Sequence, residues 1–392
     1  MKLAWVSAPM WANTGYGKVT REFMKRIQYP EQKIVITTGG INSGPFIEWG
    51  GVKHYPGQTV ERQKGDLFIG NLRQLMHETG SDTCVLHNDA WAFRETIKEV
   101  AQEFVSVTYS PIDGGHISPE EHEAISVATE RAAMCKYVEK ELAKDGLSSV
   151  YIPHGVDTKV YKSMKRDDIR DSLQIPKDEF VIGFVGTNIS KRKGQAEMMM
   201  AFKKILDAGY KFKVVMVTNV DGVSQGGYNM WKLADYIGVP KDILLFPSNV
   251  FSFSEEEMAA WYNSFDILLN ISHGEGFGIP MLESMACGTP VIATNFSSMT
   301  ELVDGHGWLT PVRALDVYTL KNQFLATPDY DVAADQIMKC MDNPDLVKST
   351  GKRAQQFAQK YDWDLIAPSW DRMFRKLDNE GHFPPYRVAS YK

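Results

Sequence analysis

Short apolar runs followed by helical patterns recur along nearly the whole chain, and the rhythm starts twice. "LAWVSA" (3–8), "KIVITT", "DLFIG", "TCVLH" and "FVSVTYS" carry it through the first half. After "VYIPHGVD" (150–157) and a polar stretch it restarts at "FVIGFVGT" (180–187). It then runs through "KVVMVT", "DILLF", "FDILLNIS" and "PVIAT" to about residue 360. Strands that alternate with amphipathic helices lie parallel, with helices on both faces of the sheet. A chain of 392 residues is too long for one ordinary core. The expectation is two doubly wound α/β domains at 1–153 and 154–361, with a last helix and tail at 362–392. Ligands of open α/β sheets bind beyond the carboxyl ends of the strands. Two such domains facing each other would make a deep cleft.

One strand-to-helix junction stands out, "SHGEGFGIPMLESMACGTPVIATN" (272–295). Glycines crowd Glu275, Pro280 suits the first turn of a helix, and Gly288 suits its end. The amides of Gly276, Phe277, Gly278 and Ile279 would then meet a ligand at a helix N-terminus, a place suited to phosphate. A carboxylate there would repel phosphate alone. It would serve a ligand whose hydroxyls lie beside the phosphate, since carboxylates accept such hydrogen bonds strongly. Glu283, one turn into the helix, would grip a second set of hydroxyls, such as a ribose. Phosphate flanked by two polyols describes a nucleotide sugar.

These residues resemble the retaining glycosyltransferases of family 4, whose GT-B fold faces two Rossmann-like domains. "EGFGIPMLE" matches that family's E-x7-E signature, and "SMACGTPVIAT" matches the segment after it. "YIPHGVDTKVY", "GFVGTNISKRKG" and "YDWDLIAPSWDRMF" resemble the family's domain entry, its phosphate loop and the C-terminal helix that crosses back onto the first domain. The resemblance covers the second half closely and the first half loosely. It implies that Glu275 holds the donor sugar's hydroxyls, Glu283 the ribose, and the Phe277, Gly278 and Ile279 amides the distal phosphate. Lys193, preceded by Arg192, stands where the family keeps its phosphate lysine. One departure is Thr187, where the family usually has arginine after Gly186. Lys191 and Arg192 are the candidates to compensate.

Further candidates lie after other strands. Gly15 and Gly17 open a helix, and the resemblance places their loop beside the donor phosphates. His87 in "LHNDAWAF" is either a cleft-lining donor contact or a structural histidine. Asp113 in "SPIDGGH" either contacts donor or acceptor hydroxyls and orients the attacking group, or only forms a turn. Asn249 and Val250 stand where the resembling family meets the nucleobase, largely through backbone groups.

The function expected is transfer of a sugar from a nucleoside diphosphate sugar, UDP- or GDP-linked, to a hydroxyl acceptor. Retention is implied by the resemblance. Lys193, Arg192 and the 276–279 amides would stabilise the leaving diphosphate without metal, and no cofactor is expected. The acceptor is open between a glycan, a lipid-linked saccharide, a small molecule and a hydroxymethylated base in DNA, as in phage-type enzymes. Rival readings are a nucleotide-sugar epimerase, a phosphorylase and a non-catalytic nucleotide-sugar binder.

A net charge of −6 removes a global basic field as an argument for nucleic acid or anionic membrane. A local patch exists: Lys18, Arg21, Lys25 and Arg26 share one predicted helix. It is either a solvated face or a dock for anionic lipid or a phosphate backbone. The four cysteines, Cys84, Cys135, Cys287 and Cys340, are far apart and read as reduced buried thiols. The N-terminal apolar run is too short for a signal peptide, and no run is long enough to span a bilayer. A cytoplasmic protein, peripheral to a membrane at most, is expected.

Overall fold

A computed structural model describes residues 1–41, 44–61, 67–318 and 323–381. Residue contacts divide the chain into two units. The first holds residues 1–112, 116–154 and the segment from Trp363; the second holds 113–115 and 155–362. Of the tail expected at 362–392, residues 382–392 lie outside the described residues.

The strands of the first unit are β1 (Lys2–Ser7), β2 (Gln32–Thr37), β3 (Ile47–Trp49), β4 (Val52–Pro56), β5 (Thr59–Glu61), β6 (Leu67–Ile69), β7 (Thr83–Leu86), β8 (Val105–Thr108), β9 (Glu130–Ala133) and β10 (Val150–Tyr151). Eight of them form one sheet in the order β10-β9-β8-β7-β1-β2-β4-β3. All pairs are parallel except β3–β4. Ala4, Trp5 and Val6 of β1, in mid-sheet, are fully buried, as a parallel strand covered on both faces requires.

The strand rhythm puts "DLFIG" in this parallel sheet. It forms β6 instead, antiparallel to β5 in a separate two-stranded ribbon. A parallel partner would need a crossover of a dozen or more residues, and the link from β5 is too short for one.

The helices Trp363–Ile366 and Pro368–Asn379 pack in this unit through rings. Trp370 meets Trp5 at 5.0 Å and Tyr109 at 5.1 Å, and Trp363 meets Phe23 at 5.0 Å. All five side chains are buried. Arg26 Nε adds an ion pair to Asp364 at 2.6 Å.

The second unit contains β11 (Val181–Val185), β12 (Lys213–Val217), β13 (Leu244–Leu245), β14 (Ile267–Asn270), β15 (Val291–Thr294), β16 (Trp308–Thr310), β17 (Val312–Tyr318) and β18 (Gln323–Pro328). Its six-stranded sheet, β13-β12-β11-β14-β15-β16, is parallel throughout. Phe184, Phe202, Ile205, Met216 and Leu269 are among its fully buried core. β17 and β18 form an antiparallel hairpin that the helix-and-strand rhythm does not announce.

This hairpin holds the 113–115 loop. Gly115 N–H donates to Phe324 O at 2.7 Å. A Cβ on Gly114 would stand 2.6 Å from the same oxygen, so only glycine lets the two backbones meet.

A cavity of about 500 Å³ lies at the amino ends of β11, β14 and β15, lined by Arg166, Phe180, Asp266, Pro290 and Lys348 among others. The charged cluster around Glu275 lies at the opposite, carboxyl ends, and contributes nothing to it.

Candidate active site

β14 runs into a turn, and the helix Ile279–Ala286 comes after it. Pro280 falls in its first turn, and Gly288 (φ +83°) closes it. The N-cap is Gly278 at φ +99°, a left-handed backbone that excludes most side chains. The amides of Gly278 and Ile279 make no hydrogen bond among the described residues. They are among the orphan donors of a helix start.

Glu275 lies at the centre of the turn and is 6% exposed. Its Oε1 accepts from Lys193 Nζ at 2.6 Å and from Ser272 Oγ at 2.7 Å. Its Oε2 lies 3.4 Å from Arg192 Nη1. The same guanidinium donates to Gly274 O at 2.6 Å and stands 3.7 Å from Asp113 Oδ1. The four residues expected to do the chemistry, Glu275, Lys193, Arg192 and Asp113, therefore form one cluster. Gly274 permits it: a Cβ there would sit 2.2 Å from Asp113 O.

The cluster balances two cations with two carboxylates. Burial pushes the Glu275 carboxyl up, but Lys193 and Arg192 more than reverse this and hold it below its usual range. Burial pushes the Lys193 ammonium down, against the pull of Glu275.

Of the two candidates to replace the missing arginine, Arg192 reaches the cluster and Lys191 does not. Lys191 points to Asp316 at 4.0 Å.

Glu283 is buried one turn into the helix. Its Oε2 accepts from Tyr262 at 2.7 Å, and Tyr161 also hydrogen bonds to it. Two tyrosines thus fix the carboxylate expected to take the ribose. Burial first, then the Glu283 charge, pushes both phenols well above their ordinary range.

Other expected residues stand elsewhere. Gly17 lies in the first turn of the helix Gly15–Arg26, but its amide donates to the Thr14 cap at 3.1 Å. Its small size serves packing, since a Cβ would meet Ala12 O at 2.3 Å. Gly15 is exposed beside it.

His87 is fully enclosed in the first unit. It shares a hydrogen bond with Ser7 Oγ at 3.2 Å and sits among Trp5, Tyr16, Tyr109 and His154. Burial, then His154, pulls its pKa well below the ordinary value. Its Nε2 makes no hydrogen bond among the described residues.

Asn249 (φ +59°) and Val250 occupy a turn after β13, with Asn249 exposed. No described hydrogen bond links them to the cluster.

The basic helix face is also occupied. Glu22, buried, is flanked by Arg21 at 3.3 Å, Lys25 at 3.2 Å and Arg26 at 2.5 Å. The structure therefore neutralises most of the patch that sequence offers for docking phosphate.

Sequence reasoning missed Ser272, Ser297, Ser298, Tyr161, Tyr262 and the Glu197–His273 pair. His273 Nε2 lies 2.9 Å from Glu197 Oε1, without hydrogen-bond geometry. None of the seven carries a local motif; each is recognised only by the partner it meets.

Two α/β units built on parallel sheets, with a charged cluster at the carboxyl ends of the second sheet, correspond to the GT-B fold. Residues 165–357 match the family described as Glycosyl transferases group 1. The chain is similar to the D-inositol 3-phosphate glycosyltransferase of Corynebacterium jeikeium (strain K411), with 27% identity over 54% of this chain and 47% of that protein. A second relative of that name, from Streptomyces coelicolor, is 28% identical over 50% of this chain and 40% of its own length. The chain thus spans about half the length of the curated relatives it matches, or less.

Among solved structures, sucrose-phosphate synthase from Thermosynechococcus elongatus shares the fold at TM-score 0.76 and 16% identity, covering 97% of this chain and all of that one. The Anabaena HepE protein, solved with UDP-glucose, does so at TM-score 0.70 and 17% identity, covering 96% of this chain and all of its own. Among the described residues no helix is long and apolar enough to cross a membrane.

Proposed function

We propose that the chain moves a sugar from a nucleoside diphosphate sugar to a hydroxyl acceptor with retention of configuration. The observation that carries this reading is the Lys193–Glu275–Arg192 cluster beside the unbonded Gly278 and Ile279 amides. A diphosphate arriving at that helix start competes with Glu275 for both cations. Glu275 then needs new donors, because a buried carboxylate without partners is strongly unfavourable. The donor sugar's hydroxyls supply them. Binding of the donor is thus an exchange of partners: cations pass to phosphate, and the carboxylate passes to sugar.

The sugar C1–O bond then breaks, and its electron pair goes to the terminal phosphate oxygen. Lys193, Arg192 and the helix amides stabilise that charge. The acceptor oxygen bonds to C1, and its proton goes to the departing diphosphate. In this reading the two side-chain cations provide the neutralisation, so turnover persists in EDTA.

UDP is the first nucleotide to try, since the Anabaena protein of the same fold was solved with UDP-glucose. The test is a thermal-shift panel of UDP, GDP, ADP, CDP and TDP, then assays of nucleoside diphosphate release from the matching sugars. A ligand at 100 times its dissociation constant stabilises by about 2.7 kcal/mol. One clear shift, with release dependent on an acceptor, supports the proposal. An epimerase would convert the donor without release, and a mere binder would do neither. No shift with any nucleotide overturns the reading.

A further inference from the structure

Ser297 is one of five described non-glycine residues with positive φ, and like Ser190 it pairs that φ with an extended ψ. At φ +51°, ψ −142° it sits near a region that is essentially glycine's own. A serine there is strained, and it persists only where its surroundings over-determine it. The surroundings name the reason. Ser297 is buried, and its Oγ accepts the N–H of Glu275 at 3.0 Å. Ser298 Oγ, also buried, donates to Glu275 O at 2.7 Å. The two hydroxyls take both polar groups that Glu275 contributes to the backbone. Upstream, Thr294 Oγ1 donates to Ser272 O at 2.7 Å, and Ser272 Oγ donates to the Glu275 carboxylate. Three hydroxyls at the exit of β15, those of Thr294, Ser297 and Ser298, thus clamp the exit of β14.

We infer that Ser297 is a positioning residue for Glu275, kept in a strained backbone because only a side-chain oxygen there can hold that amide. The inference rests on the proposed transfer reading, in which Glu275 meets the donor sugar. Glycine at this position removes the strain and the hydroxyl together; alanine removes the hydroxyl and keeps the strain. A merely structural serine would be improved by glycine, in stability and in turnover alike. A positioning serine separates the two.

The experiment compares the wild-type chain with Ser297→Gly and Ser297→Ala in three measurements. These are melting temperature, hydrogen exchange of the Glu275 amide, and steady-state kinetics with the nucleotide sugar that the panel selects. For Ser297→Gly the expected result is an unchanged or higher melting temperature and faster exchange at Glu275. Its kcat should fall about two- to tenfold, the weight of one hydrogen bond, with a smaller change in donor KM. Ser297→Ala should lose kcat similarly and melt lower. Wild-type protection of the Glu275 amide and wild-type kcat retained in Ser297→Gly would overturn the inference. If the wild-type chain turns over no nucleotide sugar, the transfer reading fails separately. The amide exchange then decides the inference alone, retained protection in Ser297→Gly overturning it.

Discussion

Lys193 Nζ stands 2.6 Å from Glu275 Oε1, with both side chains buried. Such a pair is a weak source of stability but a costly one to break from one side. Lys193→Ala leaves the buried carboxylate only Arg192 and Ser272 as partners, and should destabilise the chain by less than the about 3–5 kcal/mol of a fully unpaired buried charge, while weakening nucleotide binding. Glu275→Gln keeps the shape but leaves two cations facing one carboxylate. It should retain nucleoside diphosphate affinity and lose turnover about a hundred- to a thousandfold, the scale seen when one transition-state contact is removed. Thermal melts, nucleotide titration and initial rates check all three. Normal turnover in Glu275→Gln would refute its assigned role.

Acid should loosen the first unit through its buried histidines. His154 is buried, and burial pulls its pKa from 6.5 to about 3; His87 beside it is also pulled well down. A histidine with a lowered folded pKa binds its proton more readily when unfolded. Its contribution is therefore complete above about pH 6.5 and is lost as pH falls toward the folded value. Each should lower stability by about 1.4 kcal/mol per pH unit in that window. Melting temperatures from pH 7 to 4 should fall, and His154→Gln should flatten the slope. A slope unchanged by that substitution would be the contrary result.

Trp370 ties the C-terminal helix to Trp5 and Tyr109 in the first unit's core. Trp370→Ala should cost about 3–5 kcal/mol, as large-to-small core changes do. A chain ending at residue 362 should expose the Trp5 and Phe23 faces and lose the first unit's cooperative melt. Calorimetry on both forms tests this, and a truncated chain that melts as the full one would contradict the grouping.

The strand rhythm and the glycine-rich turn around Glu275 were legible because each is local in sequence, as is the capping box that opens the helix Pro119–Ser126. Ser118 accepts from Glu121 N–H, and the Glu121 carboxylate reaches back to Ser118 N–H. The Gly50-Gly51 turn between β3 and β4 is equally local, with both glycines at positive φ, yet the strand pattern around it is too short and exposed to mark a hairpin. The position of Asp113 was not legible. It depends on Gly114 and Gly115 meeting Phe324, more than two hundred residues away in sequence. Ser297 and Ser298 were invisible for the same reason, since their partner lies on a neighbouring strand exit. The family resemblance located the charges; only long-range contacts showed how they are held.

Glu22 gives the last test. The helix face of Lys18, Arg21, Lys25 and Arg26 looks, in sequence, like a dock for phosphate. Buried Glu22 draws in three of the four, and Asp364 takes Arg26 as well. Burial raises the Glu22 carboxyl, but Lys25 and Arg26 lower it further, so it stays charged near neutrality. The wild-type chain should therefore show weak binding to duplex DNA or anionic vesicles at physiological salt, even though four cations lie close together. Glu22→Gln removes the internal counter-charge and releases the long cationic side chains to solvent. Its affinity for DNA should rise and should fall steeply with added salt, because released counterions drive such binding. Glu22→Gln should also lose stability, since it removes the buried carboxylate that Arg21, Lys25 and Arg26 share. Gel shifts of both chains across a salt series, alongside thermal melts, separate the two effects. Tight, salt-sensitive DNA binding by the wild-type chain would show that the patch is open, and would return a modified DNA base to the front of the acceptor search.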